Sequence, residues 1–148
     1  MVAPLENVVQ VATGPRMNLA LTSDGDLYSW GTGLMGELGL AYITHQEKPA
    51  KITKVATKFK AVAVGYEHSL ALSEGGDIYV WGANDLGQLG TGDLKPLDRP
   101  TKLKTGHKYI SIAAGTKHSM ALTEHGFVYL WGGGWAGQMG DTAAKSFL

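Results

Sequence analysis

The chain has 148 residues, 44% of them apolar, a proportion ordinary for a globular domain and too high for a disordered one. Its 13 Lys and Arg balance 13 Asp and Glu, so no net field recruits nucleic acid or an anionic membrane. It has no cysteine, which excludes disulfides, thiol catalysis and thiolate metal sites; this suits the reducing compartments, cytoplasm or nucleus, and fits many secreted proteins too.

The opening, Met1-Val2-Ala3-Pro4-Leu5-Glu6, has neither a basic start nor an apolar stretch behind it, so it does not read as a signal peptide. Residues 1–7 read as a leader or as the remnant of a preceding strand. Nothing further along approaches the ~18 apolar residues of a membrane span, so no membrane association is expected.

A first unit is assigned to 8–58. It contains Gly14-Pro15-Arg16-Met17-Asn18-Leu19-Ala20-Leu21, a turn at Ser23-Asp24-Gly25-Asp26, the strand-like Leu27-Tyr28-Ser29-Trp30 with Gly31, then Gly36-Glu37-Leu38-Gly39 and Pro49-Ala50-Lys51-Ile52. The second unit, 59–108, repeats it as Gly65-Tyr66-Glu67-His68-Ser69-Leu70-Ala71-Leu72, Gly76, Tyr79, Trp81-Gly82, Gly87-Gln88-Leu89-Gly90 and Pro100-Thr101-Lys102-Leu103. The third, 109–148, carries Gly115-Thr116-Lys117-His118-Ser119-Met120-Ala121-Leu122, Gly126, Tyr129, Trp131-Gly132 and Gly137-Gln138-Met139-Gly140, and ends before a counterpart of Pro100 to Leu103. The equivalent tryptophans are 51 and then 50 residues apart.

Short β-branched or aromatic runs bounded by glycine and acidic residues read as strands, with glycine supplying the positive φ of tight hairpins. The 21 glycines fall among such runs and not in low-complexity tracts. Several strands per unit of roughly 50 residues predict an all-β fold, a partial β-propeller of tandem antiparallel blades, and not a helical solenoid.

The three linked elements Gly-x-x-His-Ser-x-Ala-Leu, Gly-x-x-Tyr-x-Trp-Gly and Gly-Gln-Leu-Gly resemble the regulator-of-chromosome-condensation repeat family over residues ~8 to 140. The kelch repeat has a comparable period but lacks Gly-Gln-Leu-Gly. The resemblance implies a closed seven-bladed propeller, against which this sequence holds two repeats and a truncated third. It therefore reads as a piece of a longer chain, as a subunit closing a ring with other chains, or as an open propeller held by partners. The further blades come from the parent chain or from self-association.

Repeated positions carry packing demands first. Gly14, Gly65 and Gly115, then Gly36, Gly87 and Gly137, read as structural. Trp30, Trp81 and Trp131 are expected to pack where adjacent blades diverge. His68 and His118 are expected to be structural, because Met17 fills the same place and because a His and the Ser after it point to opposite faces of a strand.

Other chemistry reads as absent. Gly31-Thr32-Gly33-Leu34-Met35-Gly36 and Gly132-Gly133-Gly134-Trp135-Ala136-Gly137 match a dinucleotide fingerprint, but no amphipathic helix follows to hold a pyrophosphate. His45, His107 and His125 share no metal-ligand spacing. Asp24, Asp26, Asp85, Asp93 and Asp98 lack the order of a calcium loop. No catalytic residue, metal or cofactor is expected. Lys54, Lys58, Lys60, Lys102, Lys104 and Lys108 make the connections locally basic and read as solubilising or as contacts for an acidic partner. Trp135, in a loop, is the candidate partner contact.

The function expected is a non-enzymatic protein-interaction scaffold with a protein partner. The alternative that the resemblance implies is guanine-nucleotide exchange on a Ran-type small GTPase, although the connections 40–58 and 91–108 hold no wedge-like insertion. Plant ultraviolet photoreceptors share the family fold with a Gly-Trp-Arg-His-Thr motif, which Gly65-Tyr66-Glu67-His68-Ser69 does not match.

Overall fold

The structure is a computed structural model that describes residues 4–134 and Gly137. Eleven strands form three antiparallel sheets, and the described residues include no helix. The first sheet contains β1 (Val8–Thr13), β2 (Met17–Thr22), β3 (Leu27–Thr32) and β4 (His45–Lys51) in that spatial order. The second repeats it with β5 (Phe59–Val64), β6 (His68–Ser73), β7 (Ile78–Gly82) and β8 (Leu97–Lys102). The third holds β9 (Tyr109–Ala114), β10 (His118–Thr123) and β11 (Val128–Gly132). The chain is thus a row of propeller blades.

Local chemistry sets each blade. The β2–β3, β6–β7 and β10–β11 hairpins turn at Gly25, Gly76 and Gly126, with φ of 80°, 85° and 85°, a region that side chains with a Cβ rarely adopt. The first strand of each blade carries the same bulge, at Val9, Lys60 and Ile110, and turns that residue outward.

Successive blades touch through β1, β5 and β9 and splay towards β4 and β8. Two cores fill the wedges between them. Leu19, Leu21, Leu27 and Leu38 of the first blade meet Phe59, Val62, Ala71 and Trp81 of the second. Leu70, Leu72, Ile78 and Val80 of the second meet Tyr109, Ala121 and Trp131 of the third. Each fully buried aliphatic side chain contributes about 1.5–3 kcal/mol, so stability resides between blades and not within any one of them.

The outer flanks of the row show the equivalent positions without a neighbouring blade among the described residues. Val11 is 69% exposed where Val62 is 4%, and Val128 is 55% exposed where Ile78 is 1%. These flanks are apolar surfaces of the kind that blades bury against one another.

Candidate interaction face

One face of the row carries the turns after β1, β5 and β9 and the long loops after β3 and β7. The loops are built to one plan. In the first, the Glu37 carboxylate accepts a hydrogen bond from the Met35 N–H at 2.8 Å; in the second, the Gln88 side-chain oxygen accepts one from the Leu86 N–H at 2.9 Å. The Glu37 carboxyl is held above the usual carboxylate range, because burial penalises its charge more than the hydrogen bonds to it compensate.

The backbone of the same residues locks each loop to the next blade. The Glu37 carbonyl accepts the Trp81 indole N–H at 2.8 Å and the Ser69 hydroxyl at 3.0 Å. The Gln88 carbonyl accepts the Ser119 hydroxyl at 2.7 Å. Asn84 fastens the second loop further, accepting from Leu89 N–H and donating to the carbonyls of Asp93 and Lys95.

Loops so anchored hold apolar side chains out to solvent. Leu34 and Leu94 are 61% and 59% exposed and Tyr42 is 90% exposed, with Met35 and Leu86 partly so. Leu34, Met35 and Tyr42 face Pro96, Leu97 and Asp98 across a cavity of about 480 Å³. Beside them runs an ion ladder that crosses all three blades at one repeated position: Arg16 to Glu67 at 3.1 Å, and Lys117 to Glu67 at 3.3 Å. Lys117 also lies 5.6 Å from the Tyr66 ring centroid.

Several of the repeated positions lie at the seams. Gly65 lies against the His68 imidazole and the Gly115 carbonyl, so a Cβ there would overlap both; Gly115 is likewise covered by His118. Gly36, Gly87 and Gly137 have φ of 89°, 75° and 80° in the loops. Trp81 and Trp131 are buried, whereas Trp30, on the outer flank of the first blade, is half-buried beside Leu5, Val11 and Pro49. Trp135 lies outside the described residues.

His68 is fully buried. Its Nε2 approaches both the His118 carbonyl, at 3.2 Å, and Ser119 Oγ, at 3.0 Å. A carbonyl only accepts, so Nε2 carries a proton, while Nδ1 is buried without a hydrogen-bond partner among the described residues, where a second, charging proton is unfavourable. Burial accordingly pushes the imidazole down to about 4. The serine that matters to His68 is therefore not Ser69 beside it in sequence but Ser119 in the next blade. Since Ser119 donates to the Gln88 carbonyl, the pair is a structural clasp with no free nucleophile.

The lysine-rich connections lie on the opposite face, and half of the lysines named there are already engaged. Asp26 is held below the usual carboxylate range by Lys58 and Lys51, and Asp77 likewise by Lys108 and Lys102. Lys102 thus pairs within its own sheet, whereas Lys58 and Lys108, just before β5 and β9, tie the entry of the following blade to Asp26 and Asp77. Among the described residues no three His, Asp or Glu side chains converge as a metal site. The segment Gly31–Gly36 leads into a loop, not a helix. Tyr42 and Leu94 escaped sequence reasoning; the available signal was a large apolar residue in a loop, where solubility alone does not select one.

The model of the regulator of chromosome condensation (RCC1) repeat matches residues 24–72 and 75–122, and a second model of that repeat matches 8–37 and 59–88. Among curated proteins, the ultraviolet-B receptor UVR8 of Arabidopsis thaliana is 40% identical over 98 residues, 66% of this chain and 22% of the receptor. Among solved structures, human WBSCR16 superposes with a TM-score of 0.87 at 29% identity, over 98% of this chain and 38% of that one. Yeast RCC1 (Prp20), bound to Kap60, gives 0.82 at 30% identity, over 97% of this chain and 36% of that one. The chain therefore spans about a fifth of the length of that receptor and under two fifths of either solved chain.

Proposed function

The chain belongs to the regulator of chromosome condensation (RCC1) repeat family, and from that premise we propose that it is a protein-interaction scaffold, itself without catalytic chemistry. The carrying observation is that loops clamped to the next blade through the Glu37 and Gln88 carbonyls present exposed Leu34, Tyr42 and Leu94 on one face. Rigid loops lose little entropy on binding, and exposed aromatic and aliphatic side chains are the usual anchors of an interface. Further blades, from the same chain or from other copies, would cover the apolar flanks at Val11 and Val128.

The test is capture of partners from native extract on the immobilised chain, alongside the double variant Tyr42→Asp, Leu94→Asp. A partner retained by the chain and lost by the variant supports this reading. Identical retention by both removes the loop face from consideration.

A second reading, exchange of guanine nucleotide on a Ran-type small GTPase, is favoured by the likeness to yeast Prp20p, whose solved structure is described with its binding to Gsp1p and histones, at 31% identity over 86% of this chain. Fluorescent GDP release from such a GTPase, accelerated by substoichiometric chain, would establish it. An unchanged rate would leave the scaffold reading alone.

A further inference from the structure

Between the outer edges of the first two blades lies a cleft. β4 and β8 are the last strands of their sheets, and the end of the β3–β4 loop enters the wedge between them. The cleft has a volume of about 320 Å³, a floor of Leu40, Ala41, Ile43 and Ile52, and a lip that includes Lys54 and Arg99.

The floor is apolar at a conformational cost. Ala41 has a φ of 61°, in the left-handed region, where the second blade has Gly92 at 85°. Glycine adopts that conformation freely and alanine does not. The Ala41 N–H donates to the Asp98 carbonyl at 3.0 Å, which holds the strained residue in place where it lines the cleft. Beside it Leu40 stands where the second blade has Thr91. Leu40 also packs against the core of the first seam, but the second blade manages the same turn with a glycine, so the methyl of Ala41 is not required by the loop's conformation. Backbone strain held in this way points to a site.

The charge is one-sided. Lys51, also on the lip, is tied to Asp26 at 2.9 Å, but Lys54 and Arg99 form no ion pair among the described residues. Among the described residues no Asp or Glu lines the cleft. An apolar floor beneath two unneutralised cations complements a ligand that is apolar at its centre and anionic at its ends.

We propose that this cleft binds an extended acidic peptide segment, an aliphatic or aromatic side chain entering the floor and flanking carboxylates meeting Lys54 and Arg99. The inference rests on the scaffold reading and names the partner chemistry of one of its surfaces.

The test is a fluorescence anisotropy titration of the full chain against a labelled octapeptide, two leucines flanked on each side by three glutamates. Saturable binding is expected. Lys54→Glu with Arg99→Glu should weaken it at least tenfold, and Ala41→Gly or Ile43→Ser severalfold, while Lys104→Glu, outside the cleft, leaves it unchanged. Circular dichroism establishes that each variant is folded; Ile43 is 44% exposed, so its replacement keeps the test available should the charge variant fail to fold. The proposal is overturned by absence of saturable binding, by equal binding of the peptide with serines in place of leucines, or by folded variants that bind as the parent does. Captured partners that depend on Tyr42 and Leu94 but not on Lys54 and Arg99 would leave the scaffold reading standing and remove this one.

Discussion

His68 Nε2 lies 3.0 Å from Ser119 Oγ in the following blade and 3.2 Å from the His118 carbonyl, so one neutral imidazole joins the second blade to the third. Burial holds it at about 4 in the folded chain, against the ordinary 6.5 of a solvated histidine, which gives the clasp a pH dependence with a definite sign. Between those two values the unfolded chain binds a proton that the folded chain refuses. Stability is therefore full above about pH 6.5 and is lost as pH falls towards 4, by about 3 kcal/mol in all. Urea unfolding at pH 7 and pH 4.5 should show this loss, and His68→Met, which places at this position the residue found at Met17, should remove most of it. An equal pH dependence in the variant would show that the loss arises elsewhere.

Trp81 and Trp30 occupy one repeated position in different surroundings. Trp81 is fully buried and donates to the Glu37 carbonyl, while Trp30 has no preceding blade among the described residues and is half-buried. Trp81→Phe loses a buried hydrogen bond and some packing, although Ser69 still satisfies the carbonyl, and should cost about 1–2 kcal/mol. Trp30→Phe should cost under about 0.5 kcal/mol. Thermal unfolding of the two variants checks the difference, and equal costs would contradict the assigned seam.

Gly65 and Gly106 separate two uses of glycine. A methyl at Gly65 would run into the His68 ring and the Gly115 carbonyl, whereas at Gly106 nothing lies within 4 Å. Gly65→Ala should destabilise by about 2 kcal/mol or more through overpacking at the seam, and Gly106→Ala should change stability by less than about 0.5 kcal/mol. Denaturant midpoints measured at one pH decide it, and a tolerated Gly65→Ala would mean that the blades can separate at little cost.

The all-β fold, the repeat and the blade pattern were legible in the sequence, because alternating apolar residues and turn glycines act over a few positions and recur at equal spacing. Gly25, Gly76 and Gly126 announce their hairpins for that reason. The sequence also exposed the dinucleotide fingerprint at Gly31 to Gly36 as a by-product, since the missing helix is a local fact.

Which residues meet across the seams depends on how the blades stack and is not written in local pattern. His68 and Ser119 are 51 positions apart, as are Arg16 and Glu67, and such pairings follow from how one blade stacks on the next. The cleft beside Ala41 was hidden for the same reason: its left-handed backbone has meaning only against Gly92 in the neighbouring blade, and its lip joins Lys54 of one blade to Arg99 of another. Contacts inside a blade are written in short-range periodicity, and contacts between blades in the geometry of their packing.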